Sequence, residues 1–260
     1  MKWTPEPITT RPVVGRHPNG GQLVYFGTGK YLELGDNTTS GQTQTFYAIW
    51  DDNSATAPTR SQLLAQTLSN MAGPGGISVR SVSDTSITWK TGGGSGSRGW
   101  RVDLTDPGER QVSNALLRED RIIFTTLIPS TDPCKPGGTG WLMELDATNG
   151  GRVSDTFDLN DDGLFDSNDR VTVGSQTIAV SGVKSNSGAP SAPMILPGGV
   201  SPPPGTSSLT RHRRPARSGL RVRAARYGEA LSEPSFERES WQTHSLEGGP
   251  DRTLSRSQPV

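Results

Sequence analysis

The chain has 260 residues, of which 30% are hydrophobic and 20% charged, and it contains 32 glycines and 20 prolines. Helical bundles and coiled coils are excluded, because both need long runs free of Gly and Pro. No stretch approaches the ~20 apolar residues of a membrane span, which excludes an integral helical membrane protein. The formal net charge is zero, and the composition predicts an all-β chain of short strands and many turns.

Three segments look like variants of one unit, in which a short β-rich run, a loop and a second run ending near an acidic residue follow one another. Their paired runs are residues 23–28 and 46–51, residues 87–89 and 99–104, and residues 122–126 and 140–146. The spacing of about 40–50 residues is the period of a four-stranded propeller blade. We therefore expect a partial β-propeller of several four-stranded blades, with a β-sandwich of irregular meanders as the alternative.

Four tryptophans lie in these runs: Trp50, Trp89, Trp100 and Trp141. We expect them to pack between blades, because both faces of a blade are buried against its neighbours. The alternative is a platform on which a cofactor stacks. The single cysteine, Cys134, excludes an intrachain disulfide and a cysteine-based zinc cluster.

Residues 158–169 (DLNDDGLFDSND) match the first nine positions of an EF-hand-like calcium loop. Alternate side chains converge on one point as such a loop curls, and Gly163 permits the positive φ of its sharp turn. The predicted Ca²⁺ ligands are Asp158, Asn160, Asp162, the backbone carbonyl of Leu164, and Asp166. Asp169 occupies position 12, where an EF-hand has Glu; it binds the ion, binds through water, or faces solvent.

Electrostatics favour a bound cation in this loop, which holds five carboxylates and neither Lys nor Arg. Two such charges about 5 Å apart repel by roughly 3 kcal/mol at an effective dielectric constant near 20. Calcium is favoured over magnesium, since a cage built wholly from protein suits the larger ion. Residues 170–173 look like a strand, so we expect a β-framed loop and not a helix–loop–helix hand. The alternative is a solvated acidic turn without an ion.

The C-terminal part changes character. Residues 188–197 predict one last short edge strand, residues 198–208 resemble a linker, and residues 218–231 suggest a weak amphipathic helix. Residues 206–260 have a net charge of +4, with ten Arg and no Lys, against −4 for residues 1–205. We therefore divide the chain into a partial propeller (1–200) and a Pro/Gly linker with an Arg-rich tail (201–260), which is disordered or the product of a shifted reading frame. A basic arm for nucleic acid or anionic lipid is the alternative, although no nucleic-acid partner is expected.

Several stretches together resemble one family. They are GTGKY (27–31), YAIWD (47–51), FTTLIP (124–129) with Cys134 after it, GWLMELD (140–146), and the acidic loop. Over residues 5–200 the chain resembles the PilY-type type IV pilus biogenesis and tip-adhesin proteins. The resemblance implies a quinoprotein-like propeller with an inserted calcium loop, non-enzymatic, and the same Ca²⁺ ligands.

The resemblance also implies a role. Calcium occupancy would regulate pilus extension and retraction, twitching motility and adhesion at the fimbrium or cell surface (outer membrane or periplasm). Pilus subunits or minor pilins and host or abiotic surfaces would be the partners of the parent protein. The N-terminus lacks the apolar core of a secretory signal, and the family's adhesive region and first blades are not found, so we expect a fragment. The alternatives are a fragment of a quinone-dependent propeller dehydrogenase and an inactive fragment of a disrupted gene.

Overall fold

The computed structural model describes residues 6–38, 41–90, 94–132, 137–162, 164–185 and 188–195, and the backbone of residues 222–223. Within these ranges the regular structure consists of β-strands and single-turn 3-10 helices, without an α-helix. The expected all-β class is confirmed. No helix in this described part is long and apolar enough to cross a membrane. The predictions for Cys134, Gly163 and nearly all of residues 196–260 fall outside the described residues.

Fifteen strands are present in the described residues. They are β1 (Val13–Arg16), β2 (Gln22–Gly27), β3 (Thr45–Asp51), β4 (Leu64–Gln66), β5 (Leu68–Ala72), β6 (Ser78–Val82), β7 (Gly99–Asp103), β8 (Leu116–Arg118), β9 (Arg121–Thr125), β10 (Trp141–Asp146), β11 (Arg170–Val173), β12 (Gln176–Ala179), β13 (Gly182–Lys184), β14 (Met194–Ile195) and β15 (Val222–Arg223). The 3-10 turns are Leu34–Asp36, Arg60–Gln62, Pro74–Gly76 and Ser167–Asp169.

Two large sheets contain most of the strands. Sheet 1 has the order β1-β2-β3-β7-β4, and sheet 2 has the order β5-β6-β13-β10-β9-β8. The predicted pairs of runs at 23–28 with 46–51 and at 122–126 with 140–146 are confirmed, because β2 pairs with β3 and β9 with β10, each antiparallel. Both sheets are larger than the four-stranded blades that were expected.

The prediction that residues 87–89 and 99–104 form a separate blade is wrong. Residues 87–89 form no strand and contribute only an isolated bridge between Trp89 and Ser97. The second run of that unit is β7, which joins sheet 1 beside β3, with Val102 opposite Phe46 and Trp100 opposite Ala48. The physical reason is burial: in this register the apolar residues of β7 extend the apolar face of β3.

The main core contains buried side chains of both sheets. Phe46 of sheet 1 stacks on Phe124 of sheet 2, with ring centroids 4.0 Å apart. Tyr25 Oη and Trp100 Nε1 each donate a hydrogen bond of 3.0 Å to the carbonyl of Ala147. The four tryptophans lie in this region as predicted: Trp50, Trp100 and Trp141 belong to the core cluster, and Trp89 packs against it.

A second, smaller core attaches the acidic segment to sheet 2. Buried Val171 of β11 and Val180 cluster with Val79 of β6, and Phe157 and Leu159 pack against this group. β11 and β12 form an antiparallel hairpin directly after the acidic loop, so the strand expected at residues 170–173 is confirmed, and no strand directly precedes the loop in the described residues. The sequence on both sides of the loop is therefore anchored to a sheet.

The last described strands are β14 and β15, which pair antiparallel. β14 confirms a short strand within residues 188–197. The helix predicted over 218–231 is wrong at Val222–Arg223, whose backbone is extended and pairs with β14. The reason is that inter-strand hydrogen bonds satisfy this backbone without a helical turn.

Candidate metal site

The acidic loop is built from consecutive Asx turns, in which a side-chain oxygen accepts a backbone N–H further along the chain. Asp158 Oδ1 and Asn160 Oδ1 both accept from the N–H of Asp162, each at 3.2 Å. Asp162 Oδ1 in turn accepts from Leu164 N at 2.7 Å, and its Oδ2 accepts from Asn160 Nδ2 at 2.8 Å. The first three predicted ligands are thus brought together on one turn, with two of their oxygens directed at a single N–H.

The tight curvature of the loop requires a left-handed residue, and Asp161 supplies one with φ of +57°. Asp is among the residues that tolerate this region, because its short side chain forms local hydrogen bonds. The sequence analysis assigned a positive φ to Gly163, which lies outside the described residues. Leu164 has its side chain 60% exposed.

The second half of the loop is organised by Asp166 and Asp169. Asp166 Oδ1 accepts from Asn168 N at 2.7 Å and caps the 3-10 turn Ser167–Asp169. Asp169 is buried, with its Oδ1 accepting from Leu159 N at 2.6 Å and its Oδ2 from Asp166 N at 3.0 Å. A solvent-facing Asp169 is therefore wrong: both of its oxygens join the start of the loop to its end.

Whether these residues suit calcium depends on donor chemistry and on convergence. The predicted ligands supply only oxygen atoms, which is the donor type that calcium takes. Among the described residues, however, no three His, Cys, Asp or Glu side chains stand close enough together to hold a metal ion. The arrangement fits calcium by donor type and by the shared direction of the Asp158 and Asn160 oxygens, and the ligand set stays a prediction.

Several contacts hold the segment that leads into the loop. Thr156 Oγ1 donates to the carbonyl of Val180, which lies between β12 and β13, at 2.5 Å. Arg121 of β9 donates to the carbonyl of Ser154 at 3.0 Å and pairs with Glu144 of β10. Burial raises the pKa of Glu144, and the neighbouring Arg121 partly offsets that rise. The residues just before the loop are therefore attached to sheet 2 through Arg121.

Sequence reasoning missed the roles of Asp169 and Arg121. The spacing of Asp166 and Asp169 was a partial signal, since an Asp cap with a second acceptor side chain three residues later has the spacing of a capping box. The structure shows that box around the 3-10 turn. Arg121 lies about 35 residues before the loop in sequence, and only the pairing of β9 with β10 brings it close.

Three comparisons place this architecture among known proteins. The family model of the PilY1 beta-propeller domain matches residues 3–74. The type IV pilus biogenesis factor PilY1 of Pseudomonas aeruginosa (strain PAO1) is 34% identical over 196 residues, which cover 68% of this chain and 17% of that protein. A PilY1 homolog of Xylella fastidiosa (strain Temecula1) is 35% identical over 152 residues, covering 56% of this chain and 10% of the homolog.

A solved structure has a similar fold. The crystal structure of the Pseudomonas aeruginosa PilY1 C-terminal domain matches with a TM-score of 0.64 and 28% identity, covering 74% of this chain and 42% of that one. The chain spans about a sixth of the length of the Pseudomonas relative. The propeller assignment is confirmed by these matches. In sequence and in fold, the chain is thus similar to the PilY-type type IV pilus biogenesis proteins and to their C-terminal β-propeller.

Proposed function

We propose that this chain is a calcium-binding, non-enzymatic module of a type IV pilus biogenesis protein. The observation that carries the proposal is the series of Asx turns that orients Asp158, Asn160 and Asp162 within a loop anchored to sheet 2. The pilus role is supported by the relatives, which are named type IV pilus biogenesis factors. By the same relationship the parent protein acts at the fimbrium or cell surface.

The calcium ion, when bound, supplies a double positive charge that offsets the repulsion between the loop carboxylates. Asp158, Asn160, Asp162, the carbonyl of Leu164 and Asp166 would hold it. Other residues would couple calcium binding to sheet 2. Asp169 joins the two ends of the loop, and Leu159 and Val171 pack in the small core that includes Val79 of sheet 2.

Regulation requires that a partner distinguish the two states of the loop, since a ligand shifts an equilibrium only through different affinities. We propose that pilus subunits or minor pilins are the partners that do so. Extension and retraction, twitching motility and attachment to surfaces would then follow calcium occupancy. These proposals concern a whole PilY-type protein.

The experiment is a calorimetric calcium titration of the wild type and of Asp162→Asn, with Asp161→Asn as the matched control. Both substitutions remove one negative charge from the same loop, and Asn tolerates the left-handed conformation of Asp161. We expect wild type to bind with a Kd between about 10⁻⁶ and 10⁻³ M. Asp162→Asn should weaken binding at least about ten-fold, whereas Asp161→Asn should retain affinity within about three-fold.

Thermal unfolding gives a second measurement. When free calcium is about one hundred times the Kd, binding should stabilise the folded wild type by about 2.7 kcal/mol. The absence of binding heat in the wild type, or equal losses in the two variants, would refute the proposed ligand set. In the second case general charge, and not a specific ligand position, would explain the effect.

A further inference from the structure

A cavity lined by residues between Pro7 and Arg110, and therefore distant in sequence from the acidic loop, is a candidate for a separate binding site. It measures about 190 Å³, and its walls include Pro7, Lys30, Asp36, Gln44 and Arg110. Cavities for drug-sized ligands are usually about 300–1,000 Å³. This one is smaller and suits one or two side chains of a partner.

The cavity contains a buried cation whose charge is only partly compensated. Arg80 and Arg98, the other buried arginines of the described part, pair with Glu109 at 2.7 Å and Asp52 at 2.8 Å. Arg110 is 8% exposed and forms no ion pair within 4.0 Å among the described residues, although the charge of Asp36 acts on it. A buried charge without a directly paired opposite charge is costly, so an anion in direct contact with Arg110 would be favourable.

The guanidinium of Arg110 is held in place by backbone carbonyls. Its Nη1 donates to the carbonyls of Lys30 and Asp36 at 3.1 and 3.0 Å, its Nη2 donates to Thr38 at 2.7 Å, and its Nε donates to Gly108 at 2.9 Å. An arginine has five N–H groups, so one N–H on Nη2 remains to be donated. Burial lowers the pKa of Arg110, consistent with an incompletely compensated charge.

A second polar group in the cavity wall is unsatisfied. Gln44 Nε2 donates to the carbonyl of Gln42 at 3.1 Å, but the buried Gln44 Oε1 has no hydrogen-bond partner. A buried acceptor in this state favours a ligand with an N–H or O–H donor. The wall therefore offers a donor for an anion at Arg110, and an acceptor at Gln44 once that amide, which is shielded from solvent, turns toward the cavity.

Exposed apolar side chains flank the cavity-lining residues in the sequence. Leu32 and Leu34 are 78% and 99% exposed, and Ile8, next to wall residue Pro7, is 52% exposed. The turn that presents the leucines is fixed by Asp36 Oδ2, which accepts from Leu32 N at 2.9 Å and Glu33 N at 3.0 Å. Ordered presentation of exposed leucines is typical of a binding loop on a rigid scaffold.

We infer that this cavity binds a peptide segment of a partner protein in which a carboxylate lies beside an apolar side chain. The carboxylate pairs with Arg110, a backbone N–H donates to Gln44 Oε1, and the apolar side chain covers Leu34. The carboxylate comes either from an acidic side chain or from a chain terminus. This inference does not depend on calcium.

The test uses three acetylated tripeptides in the presence of a calcium chelator. The first is leucyl-glutamyl-leucine amide, the second leucyl-glutaminyl-leucine with a free C-terminus, and the third the same neutral sequence as the amide. Calorimetry measures affinity, and the ¹⁵N shift of Arg110 Nε reports contact at the cavity. One or both charged peptides should bind about ten-fold or more tightly than the neutral amide, which also identifies the source of the carboxylate.

Three variants extend the test. Gln44→Glu places a negative charge in the wall and should weaken the charged peptide about ten-fold. Leu34→Ser should weaken all three peptides, whereas Val173→Ser on β11, also exposed, should change none. Equal affinity for the neutral amide, or no heat and no Arg110 shift with any peptide at about 5 mM, would overturn the inference.

Discussion

The buried pair of Arg80 and Glu109 offers the sharpest test of how this fold is held together. Both side chains have no exposed surface, and two hydrogen bonds of 2.7 and 3.0 Å join them. The guanidinium also lies 4.0 Å from the ring centroid of Trp141 and 3.3 Å from Asp106. Arg80 belongs to β6 of sheet 2, while Glu109 lies on the segment that leads away from β7 of sheet 1.

Glu109→Gln keeps the shape of the side chain but leaves Arg80 without its main counter-ion. Breaking a buried pair in this way costs about 3–5 kcal/mol. Because Asp106 remains near Arg80, we expect the lower end, about 3 kcal/mol in the free energy of unfolding. For a chain of this size that corresponds to a fall of about 6–12 °C in melting temperature.

Urea denaturation followed by tryptophan fluorescence measures this loss. Glu119→Gln is the matched control, since Glu119 forms an exposed pair with Arg118 at 3.8 Å and should contribute less than about 1 kcal/mol. The double variant Arg80→Met with Glu109→Gln removes the uncompensated positive charge of Arg80. It should therefore be more stable than Glu109→Gln alone. If Glu109→Gln stays within about 1 kcal/mol of wild type, or if the double variant loses the sum of both single losses, the reasoning fails.

Two further predictions concern packing and pH. Gly150→Ala should destabilise the fold by about 2–4 kcal/mol in urea denaturation, because Gly150 has φ of +71° and an added Cβ would lie 2.6 Å from Trp100 Cδ2. Gly35→Ala, where the added Cβ meets open space, is the control and should be neutral. Burial lowers the pKa of His17 from 6.5, and its Nδ1 accepts from Asn19 N at 3.0 Å, so folding favours the neutral ring. The contribution of His17 to stability is therefore complete above pH 6.5 and declines as the pH falls through its lowered pKa. His17→Gln should flatten this limb of the pH–stability curve; an unchanged slope would contradict the assignment.

Local sequence patterns were sufficient for the paired strands. The runs that became β2, β3, β9 and β10 are apolar or β-branched, are bounded by turn residues, and pair with their neighbours along the chain. The acidic loop was predictable for the same reason, since its Asx turns span two to four residues. The hairpin of β5 and β6 around Pro74–Gly76 was missed, although the Pro-Gly-Gly turn was a visible signal.

By itself the sequence determined the all-β class, the acidic loop and the family resemblance, because each depends on residues close together in the chain. Only the tertiary structure decided that β7 completes sheet 1, that β13 lies between β6 and β10, and that Arg110 faces a cavity beside residues 30–38. Those outcomes depend on which apolar faces bury each other and on which backbone carbonyls meet a distant guanidinium. Contacts of that kind join residues 50 to 104 positions apart, so no local pattern records them.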